Sequence, residues 1–492
     1  MEAAPSPRVL HVAAELYPWV KTGGLGDVMA ALPSALVAEG VDARLCVPGF
    51  PAILDAFKFT EITRLATPFA SERVRIGLAQ RRGGLPPVYV VDHPAFYDRP
   101  GGPYNGPDGH DWADNHRRFG LLGWVAAMLG NGADAKWRPR IVHGHDWHAG
   151  LAPAYLRAFG NPAASVFTVH NLAYQGFFPA SLFGELALPG EFFSVNGVEY
   201  YGGIAFMKAG LFYADRLTTV SPTYAREIQT PQFGVNLDGL LRGRAGDLTG
   251  ILNGVDPRIW APETDKSLPR QYGVDDVEPG KQAAKAALRR RFGLDDDAAP
   301  LFAAVSRLTW QKGLDLLLAA VPGLVGLGGQ LAVLGSGDWG LEQGFAGAAA
   351  AYPGRVGAVL GYDEELAHLV TAGADIVAVP SRFEPCGLTQ LYALRYGALP
   401  LVRQTGGLAD TVVDATAATL ADGSATGFAF DDENPSALLA TVGRASALFA
   451  DRAAWRRMLR EAMTRDFSWA AAARQYSALY GELGRVRRSS EP

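Results

Sequence analysis

A chain of 492 residues is too long for one ordinary hydrophobic core, so two domains of roughly 200 to 250 residues each are expected. Hydrophobic residues make up 48% and charged residues 19%, which argues against a disordered, coiled-coil or low-complexity chain. A formal net charge of −5 provides no broad basic footprint for nucleic acid or an anionic membrane, so any anionic ligand must be held locally.

From the N-terminus, Met1 to Pro7 lack the apolar stretch of a secretory signal. No later window reaches the roughly 18 uncharged apolar residues of a membrane span, so export and membrane insertion are disfavoured. Short apolar runs follow at Arg8 to Ala14, Ala43 to Val47, Val88 to Val91, Arg140 to His143, Val166 to Val169 and Arg216 to Val220, and they read as buried parallel strands. The stretches between them, such as Gly26 to Glu39 and Ala149 to Phe159, have helical spacing. Strand alternating with helix is the signature of an open doubly wound sheet. Asp256 to Gly280, rich in Pro, Asp and Gly, reads as a linker plus an exposed excursion, with the hinge near residues 248 to 258 and a helical run from Lys281 to Phe292. The strand pattern then restarts at Leu301 to Ser306, Gln330 to Leu334, Val356 to Leu360, Ile376 to Val379 and Leu399 to Val402. Trp455 to Arg485 reads as helical and is free to pack back across the hinge. The fold class is therefore α/β, with two Rossmann-like parallel-sheet domains whose strand ends face a deep interdomain cleft. Cys46 and Cys386 are the only cysteines, too few for a disulfide framework or a thiolate metal site, and a reducing cytosol fits them best.

Five segments carry chemistry. Lys21-Thr22-Gly23-Gly24-Leu25-Gly26-Asp27 follows the first strand and opens a helix, so its N–H groups can approach an anion with a lysine beside them. A plain strand-to-helix turn accounts for one glycine but not for three with a lysine. His143-Gly144-His145-Asp146-Trp147-His148 invites a zinc reading, yet its order departs from the H-x-H-x-D-H run of binuclear hydrolases and no second His/Asp cluster follows. The alternative is that Asp146 and one histidine face the cleft while the others cap and pack. His170 and Asn171 sit at the carboxyl edge of a parallel strand beside a glycine-bearing loop, where a histidine is either a satisfied core residue or a functional one. Arg307 and Lys312, five apart across a turn, can converge on one diphosphate or form a solvated pair. In Pro380 to Gln390, Glu384 lies just before a long helix whose first N–H groups, those of Gly387, Leu388 and Thr389, are donors aimed into the cleft.

Taken together and in order, K-T-G-G-L-G-D-V, H-x-H-D-W-H, V-H-N-L-A-Y-Q-G, N-G-V-D at Asn253 to Asp256, R-L-T-x-Q-K-G and R-F-E-P-C-G-L-T-Q resemble the bacterial glycogen synthase and plant starch synthase family of retaining glycosyltransferases. The resemblance runs from about Arg8 to Tyr480, with trivial departures such as Gly144 where alanine is common, and the lack of a plant-type N-terminal extension favours the bacterial form. It implies a GT-B architecture: residues 1–248 as the acceptor-glucan domain, joined by a C-terminal helix at 466–492, and residues 249–465 as the nucleotide-sugar domain. It implies ADP-glucose as donor, an α-1,4-glucan as acceptor, and no cofactor or metal ion, with Arg307, Lys312 and the helix N-terminus at Gly387 to Thr389 stabilising the departing ADP. By the same resemblance Glu384, His170, Asn171 and Asn253 contact the donor glucose and Asp146 positions it. Lys21 reaches the diphosphate and Tyr362 stacks on adenine, while Thr22, Gly23, Gly24, Asp27 and Tyr104 line the site. Cys386 lies near the substrate, where a thiol reagent would obstruct it.

Retention ordinarily uses a carboxylate nucleophile. No second acidic residue is clearly placed for that role, so front-side attack is favoured, with Glu384 as positioner and electrostatic stabiliser. A dinucleotide oxidoreductase lacks its G-x-G-x-x-G at either sheet. A UDP-glucose-using synthase, a sucrose-type synthase or an epimerase would share the architecture. A non-catalytic glucan-binding protein would be expected to lose Lys21, His170, Arg307, Lys312 or Glu384, all of which are present.

Overall fold

The computed structural model describes residues 6–160 and 162–490. Expectations that fall on residues 1–5 and 491–492 lie outside the described residues. The chain divides into two units, Met1–Gly254 with Trp469–Pro492, and Val255–Ser468.

In the first unit β1 (Arg8–Val12), β2 (Asp42–Pro48), β3 (Phe59–Leu65), β4 (Val74–Ala79), β5 (Val88–Asp92), β6 (Ile141–His145) and β7 (Ala164–Val169) come first in the chain. Three short strands, β8 (Phe177–Pro179), β9 (Glu199–Tyr200) and β10 (Gly203–Ala205), form a separate antiparallel sheet. With β11 (Arg216–Thr219) and β12 (Leu248–Gly250) the main sheet runs β12-β11-β7-β6-β1-β2-β5-β4-β3. It is parallel from β12 to β5 and ends in an antiparallel hairpin, β4 and β3. Strands β5, β6 and β7 are buried along their whole length, which is why they read as continuous apolar runs. The hairpin alternates polar and apolar residues around an irregular register at Glu61/Thr63, and its weak pattern gives no strand signal in the sequence.

The second unit carries β13 (Leu301–Val305), β14 (Gln330–Gly335), β15 (Val356–Leu360), β16 (Ile376–Val379), β17 (Leu399–Arg403) and β18 (Phe428–Phe430), all parallel in the order β15-β14-β13-β16-β17-β18. In each sheet the chain order reverses at the first strand, β1 between β2 and β6, and β13 between β14 and β16. A doubly wound sheet binds ligands outside the carboxyl ends of the strands at such a reversal. The loops after β1, β6 and β7, and those after β13 and β16, are the motif-bearing segments.

Two elements differ from the sequence reading. The helix after β16 is short, Thr389–Arg395, because Gly397 at φ 65 turns the chain out of helix two residues later. The C-terminal run is two helices, Arg452–Thr464 and Trp469–Ser490. Asp466 accepts from the N–H of Ser468 at 2.8 Å, an Asx turn that ends one helix and admits the next. The last helix buries Trp469, Ala473, Tyr476 and Tyr480 in one cluster with Val28, Leu32 and Leu36 of helix Gly24–Ala38. No helix among the described residues is long and apolar enough to cross a membrane.

Candidate active site

In the first unit the loop after β1 is organised by a residue the motif reading passed over. Glu15, buried, accepts from the N–H of Thr22 at 2.9 Å, the hydroxyl of Thr22 at 2.6 Å, the N–H of Gly23 at 3.4 Å and the phenol of Tyr104 at 2.5 Å. The donors read as a nest for a ligand anion are thus turned onto the chain's own carboxylate at Thr22 and Gly23. Lys21 pairs with Asp27 at 3.0 Å and lies 5.0 Å from the Tyr17 ring centroid. The carboxylate of Asp27 falls in the first turn of helix Gly24–Ala38, where the helix dipole favours it.

Asp146 follows β6 with φ 57 and ψ 178, a region that only glycine occupies without strain, at a cost of about 1–3 kcal/mol. Its Oδ1 accepts from the N–H of His170 at 2.8 Å and of Asn171 at 3.2 Å, fixing the turn after β7. Burial pushes the Asp146 carboxyl up to about 7, against the pull of those two N–H groups. Burial also holds the His170 imidazole down at about 3, so the ring is neutral at working pH. His148 is buried and stacks on Tyr104 with ring centroids 4.5 Å apart.

The zinc reading can be tested on ring geometry. His11, His143 and His145 bring ring nitrogens within 4.8 Å of one another. Both nitrogens of His143 are committed, to Tyr480 Oη at 2.7 Å and Thr168 Oγ1 at 2.6 Å. Both of His145 are committed too, to His11 at 3.1 Å and His170 at 3.0 Å. His143 and His145 are stacked 4.1 Å apart, and imidazole lone pairs lie in the ring plane, so the two rings cannot aim at one ion. Of the six nitrogens on these three rings, only Nε2 of His11 lacks a partner among the described residues, and one ligand does not make a tetrahedral site.

In the second unit the loops after β13 and β16 are pinned together. Gly313 has φ 65, and a Cβ there would lie 2.0 Å from the carbonyl oxygen of Pro380. The N–H of Arg382 donates to the Gln311 carbonyl at 2.9 Å. The Arg382 guanidinium grips both oxygens of Asp315, at 2.6 and 2.8 Å, and donates to Glu433 at 2.6 Å. This frame sets Lys312 Nζ 2.6 Å from Glu384 Oε2, which also accepts from the Ser381 hydroxyl at 2.8 Å. Ser306, Lys312, Ser381 and Thr389 line one small hollow. Arg307 is exposed and makes no ion pair among the described residues, and the N–H groups of Gly387, Leu388 and Thr389 donate to nothing among them. Gln390 braces that corner by donating to the carbonyls of Cys386 at 3.0 Å and Gly387 at 2.9 Å. Cys386 is itself buried in this corner. Tyr362 is 76% exposed, with its hydroxyl on Glu364 at 2.8 Å. Asn253 is buried at the end of the first unit.

The starch synthase catalytic domain family matches residues 8–243, and the family of group 1 glycosyl transferases matches residues 286–460. A glycogen synthase from Yersinia enterocolitica is 54% identical over 480 residues, covering 97% of this chain and 100% of that one. The chain belongs to the glycogen synthase family. The catalytic domain of starch synthase IV from Arabidopsis thaliana, bound to ADP and acarbose, matches with a TM-score of 0.85 at 32% identity, covering 97% of this chain and 99% of that one. A sucrose-phosphate synthase from Thermosynechococcus elongatus, at 20% identity and a TM-score of 0.58 over 98% of this chain and 100% of that one, shares the fold alone.

Within the glycogen synthase family this chain is a glycosyltransferase of two Rossmann-like domains, and the oxidoreductase alternative falls away. Lys312, Glu384, His170 and Asp146 stand within the sequence motifs, whereas Glu15 and His11 stand outside every one of them. The signal for Glu15 was a lone acidic residue within a buried run after β1, which becomes meaningful only once its partners Thr22 and Tyr104 are brought to it.

Proposed function

We propose that this chain transfers glucose from ADP-glucose to the non-reducing 4-hydroxyl of an α-1,4-glucan, with retention at the anomeric carbon. The second unit is the nucleotide-sugar side of the reaction and the first unit the acceptor side. The observation that carries the reading is the corner after β13 and β16, where the Lys312 ammonium, the exposed Arg307 and the open N–H groups of Gly387 to Thr389 offer positive charge and donors to a diphosphate. An ammonium has three N–H donors. Lys312 can keep one on Glu384 and present two to phosphate oxygens, so the ion pair preorganises the cation that stabilises departing ADP.

Glu384, held by Lys312 and Ser381, offers its carboxylate to the glucose hydroxyls and to the oxocarbenium-like state. His170, Asn171 and Asn253 contact the same sugar, Asp146 orients it, and the ring of Tyr362 stacks on adenine. Lys21, drawn from Asp27, adds charge to the diphosphate, while Thr22, Gly23 and Gly24 shape the loop around Glu15 and Tyr104. The acceptor hydroxyl attacks from the side of the leaving group and passes its proton to the departing phosphate oxygen. Cys46 and Cys386 are not joined in a disulfide, which suits the reducing cytosol.

The test is incubation of the chain with labelled ADP-glucose or UDP-glucose and a short maltodextrin in the presence of a metal chelator. Chain lengthening from ADP-glucose with an α-linked product supports the reading. Lengthening from neither donor overturns it, and a trapped glucosyl adduct on any side chain overturns the front-side step alone.

A further inference from the structure

Three imidazoles of the first unit form a continuous hydrogen-bonded file, two of which, His11 and His145, the reaction as described does not use. His11 on β1 and His143 on β6 are register partners, and His145 lies two residues further along β6 on the same face. His11 Nδ1 is 3.1 Å from His145 Nε2, and His145 Nδ1 is 3.0 Å from His170 Nε2. His11 and His145 are both fully buried, and their rings stack 5.3 Å apart at 23°. Burial holds His11 at about 3 and His145 well below its ordinary value, so each ring is a neutral imidazole with one donor nitrogen and one acceptor nitrogen.

A file of neutral imidazoles must have all its donors pointing the same way. If they point inward, His170 donates to His145 and His145 to His11, and Nε2–H of His11 is left as a buried donor. That atom has no partner among the described residues, and an orphaned buried N–H is rare in folded proteins. If they point outward, His11 Nδ1–H donates to His145 Nε2, His145 Nδ1–H donates to His170 Nε2, and the buried end is a bare acceptor, the milder defect. We propose that His11 and His145 are positioning residues that fix His170 in the tautomer protonated at Nδ1, so that the ring meets the substrate as a hydrogen-bond donor to a sugar oxygen. The inference rests on the reading above that His170 faces the glucose. It also separates two jobs within one cluster, because the nitrogens of His143 go to Tyr480 and Thr168 and take no part in the file.

The test is a long-range ¹H–¹⁵N correlation spectrum of the full chain labelled at histidine, with the His170 signals assigned by their loss in His170→Asn. A protonated Nδ1 and bare Nε2 at His170 support the inference, and the reverse pattern or an even mixture overturns it. His11→Phe keeps the ring volume and removes the first donor of the file. It is expected to convert the His170 signals to a tautomer mixture and to lower kcat about tenfold with little change in KM, whereas an unchanged His170 spectrum in a folded variant overturns the inference. Should that variant not fold, the wild-type spectrum decides alone. An active chain with Nε2–H at His170 loses this inference and keeps the transferase. Nδ1–H in a chain that extends no glucan does the opposite.

Discussion

Lys312 and Glu384 carry opposite charges 2.6 Å apart, and the Glu384 side chain is only 7% exposed. Removing one partner of such a pair leaves the other buried and uncompensated, at a cost of about 3–5 kcal/mol. Lys312→Ala is therefore expected to lower both the unfolding midpoint and kcat/KM, the latter at least about tenfold, on the scale of losing one transition-state cation. Glu384→Gln keeps an acceptor for Lys312, so nucleotide affinity by calorimetry should hold while transfer falls steeply. If that variant fails to fold, Glu384 is a structural brace. Asp146 adds a pH dependence. Its carboxyl sits at about 7 in the fold against an ordinary value of 3.8, so between those values the folded state binds the extra proton. Asp146 thus weakens the fold progressively as pH rises from 3.8 to about 7, a difference on the order of 4 kcal/mol. Transfer that needs the ionised carboxylate rises through pH 7 in the wild type. In Asp146→Asn this limb of the pH–rate profile should vanish, with kcat cut at least about tenfold. Urea titrations should show the variant gaining on the wild type between pH 4 and pH 8.

At the scale of elements, what the sequence made legible were the strands buried on both faces and the loops that leave them. Ile376 to Val379 begins and ends where its apolar run does, because a strand covered on both sides has no polar positions to blur its ends. The hairpin of β3 and β4 was illegible because its exposed residues, Thr60 and Glu61 among them, break any apolar run. The break at Arg465 to Ser468 was hidden because every residue there but the Asx-turning Asp466 tolerates a helix. Chemistry was legible where charge and glycine stood close in sequence, as at Arg307 to Gly313. It was not where partners came from remote segments, as with His11 on β1 and His145 on β6, 134 positions apart, or with Glu15 and Tyr104, 89 positions apart. The loop packing makes its own prediction. A Cβ at Gly406, φ 45, would lie 1.9 Å from the Glu384 carbonyl, backbone that cannot rotate aside. Gly406→Ala should lose about 1–3 kcal/mol through overpacking and cut kcat by moving Glu384, while a surface control, Gly347→Ala, with open space around its Cβ, should do neither. Equal activity in the two variants would release the helix Gly406–Thr411 from any part in placing the carboxylate.

At the scale of the molecule, each unit has its own core, and the first unit completes its core with a segment drawn from the far end of the chain. Trp469, Tyr476, Tyr480 and Leu483 are buried against helix Gly24–Ala38 and strands β1 and β6, and each buried side chain of that size is worth about 1.5–3 kcal/mol. Their sum is comparable with the whole stability of a domain. Tyr480 does more than fill space, because its hydroxyl is 2.7 Å from His143 Nδ1 and its loss strands a fully buried imidazole nitrogen. A chain ending at Ser468 should therefore unfold its first unit at much lower temperature while the second keeps its own transition, which calorimetry resolves as one early and one unshifted peak. Tyr480→Phe isolates the polar part of this argument, since it retains the ring contacts to His143 and His11 and removes only the hydroxyl. It should cost about 1–3 kcal/mol in the first transition and leave the second where it was. If both transitions moved together in either variant, the cores of the two units would have to be treated as one cooperative structure, and the final helix as a brace for the whole chain.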